Sequence, residues 1–415
     1  MLFFYRIAVN FIFLISPIII IYRIFRNKED PKRFLEKIGK FNKENKSNSL
    51  IWFHGSSVGE ILSIIPLIEK LEKKKNIKKI LITSNTLSSA RIIKKLKLKK
   101  TLHQFFPLDT GFLVEKFLNH WRPKAVFLIE SEIWPNMILK IKEKKIPLIL
   151  LNGRITKKSF QNWKSFPNFS KKIFNKFDLC LGQNSETCNY LKTLGAGNIK
   201  KIGNLKFSQS ISDLKNKSNI KIKKKLARKK IMFSAISTHK NEELFCGKVH
   251  SNLKVKYKNI ISIIIPRHVE RAGEIKEELN LNKLNVHLHS SNKSVKSDTD
   301  IYLVDTFGET KSFLKLSKIA IMGKSIYSKG GQNPLEAARF GNRIIHGPHV
   351  ENFVEVYNFL KKQGISTKIS SSTSLEKLVI KFDRKKNYSK QIIKKLSYTG
   401  NKILLNNEKE ISKYI

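Results

Sequence analysis

The chain has 415 residues and a formal net charge of +49 at pH 7. At roughly 150 residues per domain, this length indicates two or three domains with buried cores. A hydrophobic fraction of 41% and an aromatic fraction of 10% exclude a disordered polycation, because such chains lack the apolar residues that a core needs. The charge favours an anionic partner, and charge alone does not choose among nucleic acid, anionic lipid and a phosphorylated substrate.

An apolar run opens the chain. It extends from Leu2 to Tyr22 and is interrupted by Arg6, Asn10 and Pro17. Counted from Leu2 at 1.5 Å per residue, a helix here reaches the roughly 30 Å of a bilayer core, although a buried core helix is the alternative. Basic residues rather than a cleavage site follow directly: Arg23, Arg26, Lys28, Lys32 and Arg33. We therefore predict that residues 1–25 are an inner-membrane anchor and that the rest of the chain lies in the cytoplasm.

The remainder alternates strand-like apolar runs with amphipathic, helix-like stretches. The runs of the first half are Leu50–Phe53, Lys79–Thr83, Ala125–Ile129, Pro147–Leu151 and Leu179–Leu181. Those of the second half are Ile231–Ala235, Ile260–Ile265, Ile301–Val304, Ile319–Met322 and Arg343–Ile345. This order predicts an α/β protein with two Rossmann-like domains of parallel strands, a cleft between them, and ligands at the carboxyl ends of the strands. We assign residues 26–207 to the first domain, 208–230 to a lysine-rich linker, and 231–415 to the second domain with C-terminal helices.

Acidic residues follow two strands of the first half. Strand Leu50–Phe53 runs into the segment His54–Glu60, whose glycines allow close backbone approach before a helix begins. Glu60 stands in the first helical turn, where a carboxylate is either a partner of the helix dipole or a base that takes a proton from an alcohol. Glu130 and Glu132 follow another strand, and such close carboxylates need cations or donors nearby unless they are solvated.

Three aligned strand ends in the second half predict an anion site. Arg267 follows one strand, and its planar guanidinium suits phosphate or carboxylate. Gly330 and Gly331 precede a helix, an arrangement that cradles a phosphate, and Glu336 in that helix could accept two ribose hydroxyls. Lys206, in a polar turn that closes the first half, could also bind carboxylate or phosphate.

No metal or disulfide chemistry is predicted. Three cysteines are too few for a disulfide framework and lack metal-ligand spacing. The segment Asp298–Asp300 has the DxD pattern by which many nucleotide-sugar enzymes bind a divalent metal. It precedes a strand, which is the wrong end for a doubly wound cleft, and we interpret it as part of a polar loop.

Seven motifs together resemble one enzyme family, the 3-deoxy-D-manno-octulosonic acid (Kdo) transferases of lipopolysaccharide synthesis. In chain order they are His54–Glu60, Glu130–Asn136, Gly203–Phe207, Ser237–His239, Pro266–His268, Gly330–Glu336 and Gly347–His349. The resemblance implies a GT-B glycosyltransferase fold. It also implies an inverting transfer of Kdo from CMP-Kdo to lipid IV-A, the lipid A precursor, without a metal or other cofactor, on the cytoplasmic face of the inner membrane.

The resemblance also implies residue roles. Glu60 would be the general base that deprotonates the attacking hydroxyl, and Glu130 with Lys206 would stabilise the transition state. The residues that would bind CMP are Pro266, Arg267, Phe307, Gly308, Glu309, Asn333, Pro334, Leu335 and Glu336. Two positions depart from the family pattern: Gln332 stands where histidine is usual, and Lys324 stands where a second glycine is usual.

Two other functions remain as alternatives. One is a different GT-B enzyme, a transferase or epimerase that uses a UDP-sugar. The other is a membrane-tethered nucleic-acid-binding protein, which would interleave aromatic residues with a basic stripe. The anchor and the motifs together favour an anionic substrate at a membrane over nucleic acid as the partner. The charge that serves function is expected around the anchor and the N-terminal half, where a bis-phosphorylated lipid is drawn from an anionic bilayer surface.

Overall fold

The computed structural model describes residues 1–41, 49–96, 98–209, 226, 231–383 and 388–415. These residues form two compact units: residues 1–210 with 399–415, and residues 211–398. The predicted linker 208–230 lies almost entirely outside the described residues.

The first unit contains a parallel sheet. Its strands are β1 (Leu50–His54), β2 (Lys79–Ser84), β3 (Thr101–Phe105), β4 (Ala125–Ile129), β5 (Leu148–Gly153), β6 (Leu179–Gly182) and β7 (Ile199–Lys201). Their spatial order in the described part of the chain is β3-β2-β1-β4-β5-β6-β7. The order reverses between β1 and β4, so the ends of these two strands border the crevice in which doubly wound sheets bind ligands.

Helices cover both faces of this sheet, as its apolar strands require. The helices of the unit are Leu2–Phe25, Val58–Glu72, Leu87–Lys95, Gly111–Trp121, Pro135–Glu143, Lys157–Lys164, Pro167–Phe174 and Ser185–Leu194, with 3-10 turns at Phe34–Ile38 and Leu205–Ser208, and the first of them is largely exposed. The core holds fully buried aromatic side chains, and the ring centroids of Trp52 and Phe117 lie 4.6 Å apart. Each such side chain contributes about 1.5–3 kcal/mol by leaving water.

The second unit repeats this architecture. Its parallel strands are β8 (Ile231–Thr238), β9 (Ile260–Pro266), β10 (Val286–Leu288), β11 (Ile301–Leu303), β12 (Ile319–Met322), β13 (Arg343–His346) and β14 (Ser366–Lys368). Among the described residues their order is β10-β11-β9-β8-β12-β13-β14, which reverses between β8 and β12. The helices that follow β8 are Glu242–Lys256, Ala272–Leu281, Thr310–Leu314, Leu335–Arg339, Val354–Lys362, Ser372–Asp383 and Tyr388–Ile411, with 3-10 turns at Val269–Arg271 and Glu351–Phe353.

The end of the chain belongs to the first unit, whereas the sequence assigns everything after residue 230 to the second. The boundary between the units falls inside the helix Tyr388–Ile411. Ion pairs join its last turns to the first unit, with Glu408 3.0 Å from Lys70 and Glu410 2.8 Å from Lys200. Surface lysines of the first unit therefore form ion pairs with glutamates of this helix that lie more than 200 positions away in sequence. No local sequence pattern indicates such pairs.

Helix Leu2–Phe25 is long and apolar enough to cross a membrane, judged by length and composition. It forms part of the first unit. Most of its large apolar side chains are exposed, whereas Ser16 and Ile20 are buried.

Candidate active site

The predicted site residues divide into two groups, one in each unit. In the first unit, Glu60 lies on the helix that follows β1, and Glu130 lies directly after β4. These are the strands at which the sheet order reverses. Neighbouring parallel strands end at the same edge of a sheet, so Glu60 and Glu130 lie at one edge.

Glu60 closes the start of its helix. The Glu60 carboxylate accepts hydrogen bonds from the backbone amides of Ser56 (2.7 Å) and Ser57 (3.3 Å), while Ser57 Oγ accepts one from the Glu60 amide (3.3 Å). This reciprocal capping box satisfies amides that the first helical turn leaves unpaired. The dipole-partner interpretation and the base interpretation are therefore compatible, because the cap holds the carboxylate at the edge of the sheet.

The surroundings of Glu60 favour a protonatable carboxylate. Burial and the negative charges of Glu132 and Glu130 raise the pKa of Glu60 to about 6. A Cβ at Gly55 would lie 3.2 Å from Glu60 Cβ and 3.0 Å from Ile129 Cδ1, closer than ordinary van der Waals contact, so a larger residue here would require these neighbours to shift. A carboxylate with a pKa near neutrality is suited to accept and release a proton.

Glu132 is surrounded by donors, as the sequence argument about paired carboxylates requires. Ser56 Oγ donates to Glu132, Trp134 Nε1 donates at 2.8 Å, and His54 Nε2 lies 3.2 Å from the same oxygen. Burial raises the pKa of Glu132, but these contacts outweigh burial and hold it below its usual value. Glu132 therefore remains ionised beside Glu60, and its charge disfavours the ionised form of Glu60.

Glu130 pairs with Lys206. Lys206 Nζ lies 2.6 Å from Glu130 Oε1, and the Glu130 side chain is 6% exposed. Glu130 also adopts the left-handed backbone region, with φ of +57°, which costs a non-glycine residue about 1 kcal/mol or more. Such strain persists where surrounding structure imposes it, and it clusters at functional sites.

Side-chain amides hold Lys206 in place. The Leu205 amide donates to Asn152 Oδ1 at 2.9 Å, and the Lys206 amide donates to Asn204 Oδ1 at 2.9 Å. Gln183 links the two, since its Nε2 donates to the Asn152 carbonyl and its Oε1 accepts from Asn204 Nδ2. The sequence analysis missed Asn152 and Gln183, although both stand at or just after the end of an apolar strand and could have been found by that position.

The predicted donor residues of the second unit follow neighbouring strands. Pro266 ends β9, Arg267 follows it with an exposed side chain, and Phe307 is 80% exposed after β11. Lys311 Nζ lies 3.6 Å from Glu336 Oε1, so the helix after Glu309 contacts the helix that Pro334 caps. The carboxyl edge of this sheet therefore collects the predicted residues into one region.

A buried carboxylate that the sequence analysis did not single out organises the loop after β12. Glu242 is 1% exposed and accepts backbone hydrogen bonds from Lys324 (2.7 Å), Ser325 (2.9 Å) and Ile326 (3.0 Å). Next to this loop, a Cβ at Gly323 would lie 2.2 Å from the Ser237 carbonyl oxygen. The ends of β8 and β12 therefore lie so close together that only glycine fits at position 323.

The backbone conformation of Lys324 shows why glycine is usual at this position in the family pattern. Its φ is +54°, in the left-handed region where glycine carries no steric penalty. Lys324→Gly is expected to stabilise the second unit by about 1 kcal/mol, because the loss of Cβ strain exceeds the extra entropy of the unfolded chain. Thermal unfolding of both proteins measures this difference.

The matched control is Lys329→Gly, an exposed lysine in the same loop without a positive φ. That change is expected to leave stability unchanged or lower it slightly. Equal effects at the two lysines would contradict the strain argument.

The DxD segment has a structural role. Asp300 is buried and contacts Lys254 Nζ at 2.6 Å and His250 Nε2 at 3.2 Å. Burial raises the pKa of Asp300, but these partners outweigh it and lower the pKa to about 2. Among the described residues no group of three metal-ligating side chains is found. Asp300 thus joins a helix to the sheet at the edge opposite the predicted donor residues.

Comparisons with known proteins agree with the motifs. The family model of the 3-deoxy-D-manno-octulosonic-acid transferases matches residues 32–209. The chain is 33% identical over 368 residues to the 3-deoxy-D-manno-octulosonic acid transferase of Rickettsia bellii, covering 88% of this chain and 87% of that relative. It is 33% identical over 390 residues to the probable mitochondrial 3-deoxy-D-manno-octulosonic acid transferase of Arabidopsis thaliana, covering 90% of this chain and 86% of that relative.

Among solved structures, the UDP-GlcNAc 2-epimerase of Neisseria meningitidis aligns over 88% of this chain and 99% of its own, with a TM-score of 0.57 and 14% identity. At this identity the likeness concerns the fold. The chain therefore has the GT-B fold, with two parallel, doubly wound sheets.

Proposed function

Because the chain belongs to the Kdo transferase family, we propose that it transfers Kdo from CMP-Kdo to lipid IV-A in lipopolysaccharide biosynthesis. The observation that carries the proposal is the acidic cluster of the first unit, which consists of Glu60, Glu130 and Glu132. There a carboxylate with a pKa of about 6, Glu60, is held at the sheet edge, and the Glu130–Lys206 pair lies at the same edge.

The proposed reaction is a single inverting displacement. A hydroxyl oxygen of the acceptor glucosamine bonds to the anomeric carbon of Kdo, and its proton passes to the Glu60 carboxylate. The bond from that carbon to the phosphate oxygen of CMP-Kdo breaks, and its electron pair leaves with CMP. Because CMP departs as a stabilised phosphate, this scheme uses one base and requires neither an acid partner nor a metal.

In this scheme Glu130 stabilises the charge of the transition state, and Lys206 neutralises the carboxylate of the sugar. Positive charge develops at the anomeric carbon in the transition state, and a carboxylate fixed by its own ion pair stabilises it without reorganising. Lys206 is suited to neutralise the carboxylate that the sugar carries. The pair is pre-formed at 2.6 Å, so the protein supplies this arrangement before the substrates bind.

The second unit is proposed to bind the CMP moiety. Arg267 is the cation expected on the phosphate, since its exposed side chain follows β9 and its backbone amide is fixed to the Thr238 carbonyl at 3.0 Å. Arg267→Ala is expected to weaken the binding of CMP about tenfold or more, as a lost charged hydrogen bond contributes about 1.5–3 kcal/mol. Calorimetry with CMP measures this, and an unchanged affinity contradicts the assignment.

The matched control for that variant is Lys276→Ala, which removes one positive charge from the same unit on a helix surface. Its affinity for CMP is expected to match the parent protein. If both variants lose affinity equally, the effect belongs to the overall charge and not to the position of Arg267.

The proposed location is the cytoplasmic face of the inner membrane. Helix Leu2–Phe25 supports it through its exposed apolar residues, and the cations Arg23 and Arg26 at its end suit anionic lipid headgroups. The proposed acceptor, lipid IV-A, is anionic and acylated and belongs at this surface. The basic chain is attracted to the anionic lipids there.

The deciding experiment supplies the purified protein with lipid IV-A and a donor. Mass spectrometry is expected to detect lipid IV-A carrying one or more Kdo residues with CMP-Kdo, and no product with UDP-GlcNAc or UDP-glucose. Transfer or epimerisation of a UDP-sugar would overturn the proposal in favour of another GT-B activity. The product masses also give the number of Kdo units added.

A further inference from the structure

The first turn of helix Leu2–Phe25 is attached to the first unit by polar contacts. Tyr5 Oη donates to Asp109 Oδ2 at 2.7 Å, and Arg6 Nε donates to Asn136 Oδ1 at 3.1 Å. Asp109 is 2% exposed, and its carboxylate also accepts the backbone amides of Asn136 and Met137. Arg6, which interrupts the apolar run in the sequence, therefore contacts a folded part of the protein.

The other end of the helix is attached to the same unit. Arg23 Nε lies 3.1 Å from Glu29 Oε2, and Lys37 Nζ lies 2.8 Å from the same oxygen. Lys37 also donates to the Asn85 carbonyl at 3.1 Å, so Glu29 is tied to the end of β2. Tyr5 and Arg23 are 18 positions apart, which corresponds to about 27 Å along a helix.

The middle of the helix also packs on the unit. Ser16 and Ile20 are 4% and 6% exposed, and the Phe13 ring meets the Phe112 ring edge to face at 5.3 Å. One side of the helix therefore faces the unit along its whole length.

The remaining sides are apolar and exposed. Their large side chains are Phe3, Phe4, Ile7, Phe11, Ile12, Leu14, Ile18, Ile19, Ile21, Tyr22 and Phe25. Exposed apolar patches of this extent mark an interaction site. These exposed side chains form a convex apolar ridge along the helix. Fluid hydrocarbon can cover such a ridge without a shaped groove, and the cations Arg23 and Arg26 at its end suit anionic headgroups.

We propose that helix Leu2–Phe25 lies in the plane of the membrane, with this ridge immersed in one leaflet, and does not cross the bilayer. Both ends are fixed to one folded unit, so a crossing helix would carry Asp109 and Asn136 through the hydrocarbon, where their polar groups are costly. An in-plane helix leaves these contacts at the interface. This inference rests on the proposed membrane location and is independent of the proposed chemistry.

Depth measurements with a fluorescent label test the orientation. Single cysteines at Phe4→Cys, Leu14→Cys and Phe25→Cys, in a Cys188→Ser background, carry an environment-sensitive nitrobenzoxadiazole label. The vesicles consist of phosphatidylethanolamine and phosphatidylglycerol with quenchers at shallow or deep acyl positions. All three labels are expected to show the same preference for the shallow quencher.

Two outcomes overturn the proposal. If the label at residue 14 prefers the deep quencher while those at residues 4 and 25 prefer the shallow one, the helix crosses the bilayer. If no label is quenched, the ridge binds something other than lipid, and the proposed membrane location fails with it. Leu281→Cys is the control, because Leu281 is 84% exposed and apolar but belongs to the second unit, and its label should stay unquenched.

A second variant tests the attachment itself. Tyr5→Phe combined with Arg6→Gln removes the two side-chain bonds to Asp109 and Asn136 while retaining similar shapes. The label at residue 4 is then expected to move towards the deep quencher, and the label at residue 25 is expected to keep its depth. An unchanged depth at residue 4 would contradict the role of these contacts in holding the helix flat.

Discussion

Glu60→Gln is expected to reduce turnover by about 10³-fold, because a positioned general base contributes roughly 10²–10⁴-fold to a rate. Glutamine cannot accept the proton of the attacking hydroxyl, but it can replace glutamate in the capping box. The helix Val58–Glu72 should therefore keep its start, and CMP-Kdo binding should remain nearly as in the parent protein. Single-turnover rates with CMP-Kdo and lipid IV-A, together with calorimetry for the donor, measure the two effects separately.

Glu69→Gln is the matched control for this variant. Glu69 lies on the same helix and is exposed, so its change removes the same charge without touching the acidic cluster. Its turnover should equal that of the parent protein. A Glu60→Gln enzyme with a near-normal rate would remove Glu60 from the role of base.

The pH dependence follows from the same residue. The proposed base acts only when it is ionised, and the pKa of Glu60 is raised to about 6, so turnover should fall as pH drops below about 6 and level off above it. Glu132→Gln removes a neighbouring negative charge that raises this pKa. The acid limb of the profile should then move to lower pH, and a shift in the opposite direction would contradict the electrostatic coupling of the two carboxylates.

Lys206→Met is expected to lower both stability and turnover. Glu130 is buried and lies 2.6 Å from Lys206, so removing the cation leaves an uncompensated buried charge. Such a loss typically destabilises a protein by about 3–5 kcal/mol. Turnover should fall by about 10²–10³-fold, the range for losing one group that stabilises the transition state. Thermal unfolding and initial rates measure the two losses.

A double variant separates these effects. Lys206→Met with Glu130→Gln removes both charges, so much of the lost stability should return while turnover stays low. Lys201→Met is the control for net charge, since Lys201 is exposed and donates to Ser185 Oγ at 3.2 Å. If the double variant recovered turnover along with stability, the pair would be structural and would have no role in transfer.

The inner strands of both sheets were predictable, and the outer ones were not. The sequence analysis located β1, β4 and β9 because buried parallel strands are nearly continuous apolar runs. It missed β3, β7, β10 and β14, and these are the edge strands of the two sheets in the described residues. Edge strands face solvent on one side and carry polar residues, as in Ile199–Lys201, so their apolar signal is weak.

Site residues show the same division. Glu60 was predictable because its segment, with its glycines and helix start, is local in sequence. The contacts of Glu132 with His54 and Ser56 were not predictable, since these two residues lie at a different strand end and meet it only through the parallel pairing of β1 with β4. The polar turn made Lys206 a weak candidate in so lysine-rich a chain, and only the family motif implied a specific role for it. Its contact with Glu130 spans 76 positions and depends on the amides that hold its turn.

The charge of +49 illustrates what composition leaves undetermined. Length, composition and apolar runs by themselves determine two α/β domains and an apolar N-terminal helix, because burial of apolar surface is read from local pattern. They do not determine which lysine among the 81 basic residues acts on a carboxylate, nor whether the helix lies along the membrane or crosses it. Those properties arise from contacts between distant residues, such as Lys206 with Glu130 and Tyr5 with Asp109, which exist only once the chain is folded.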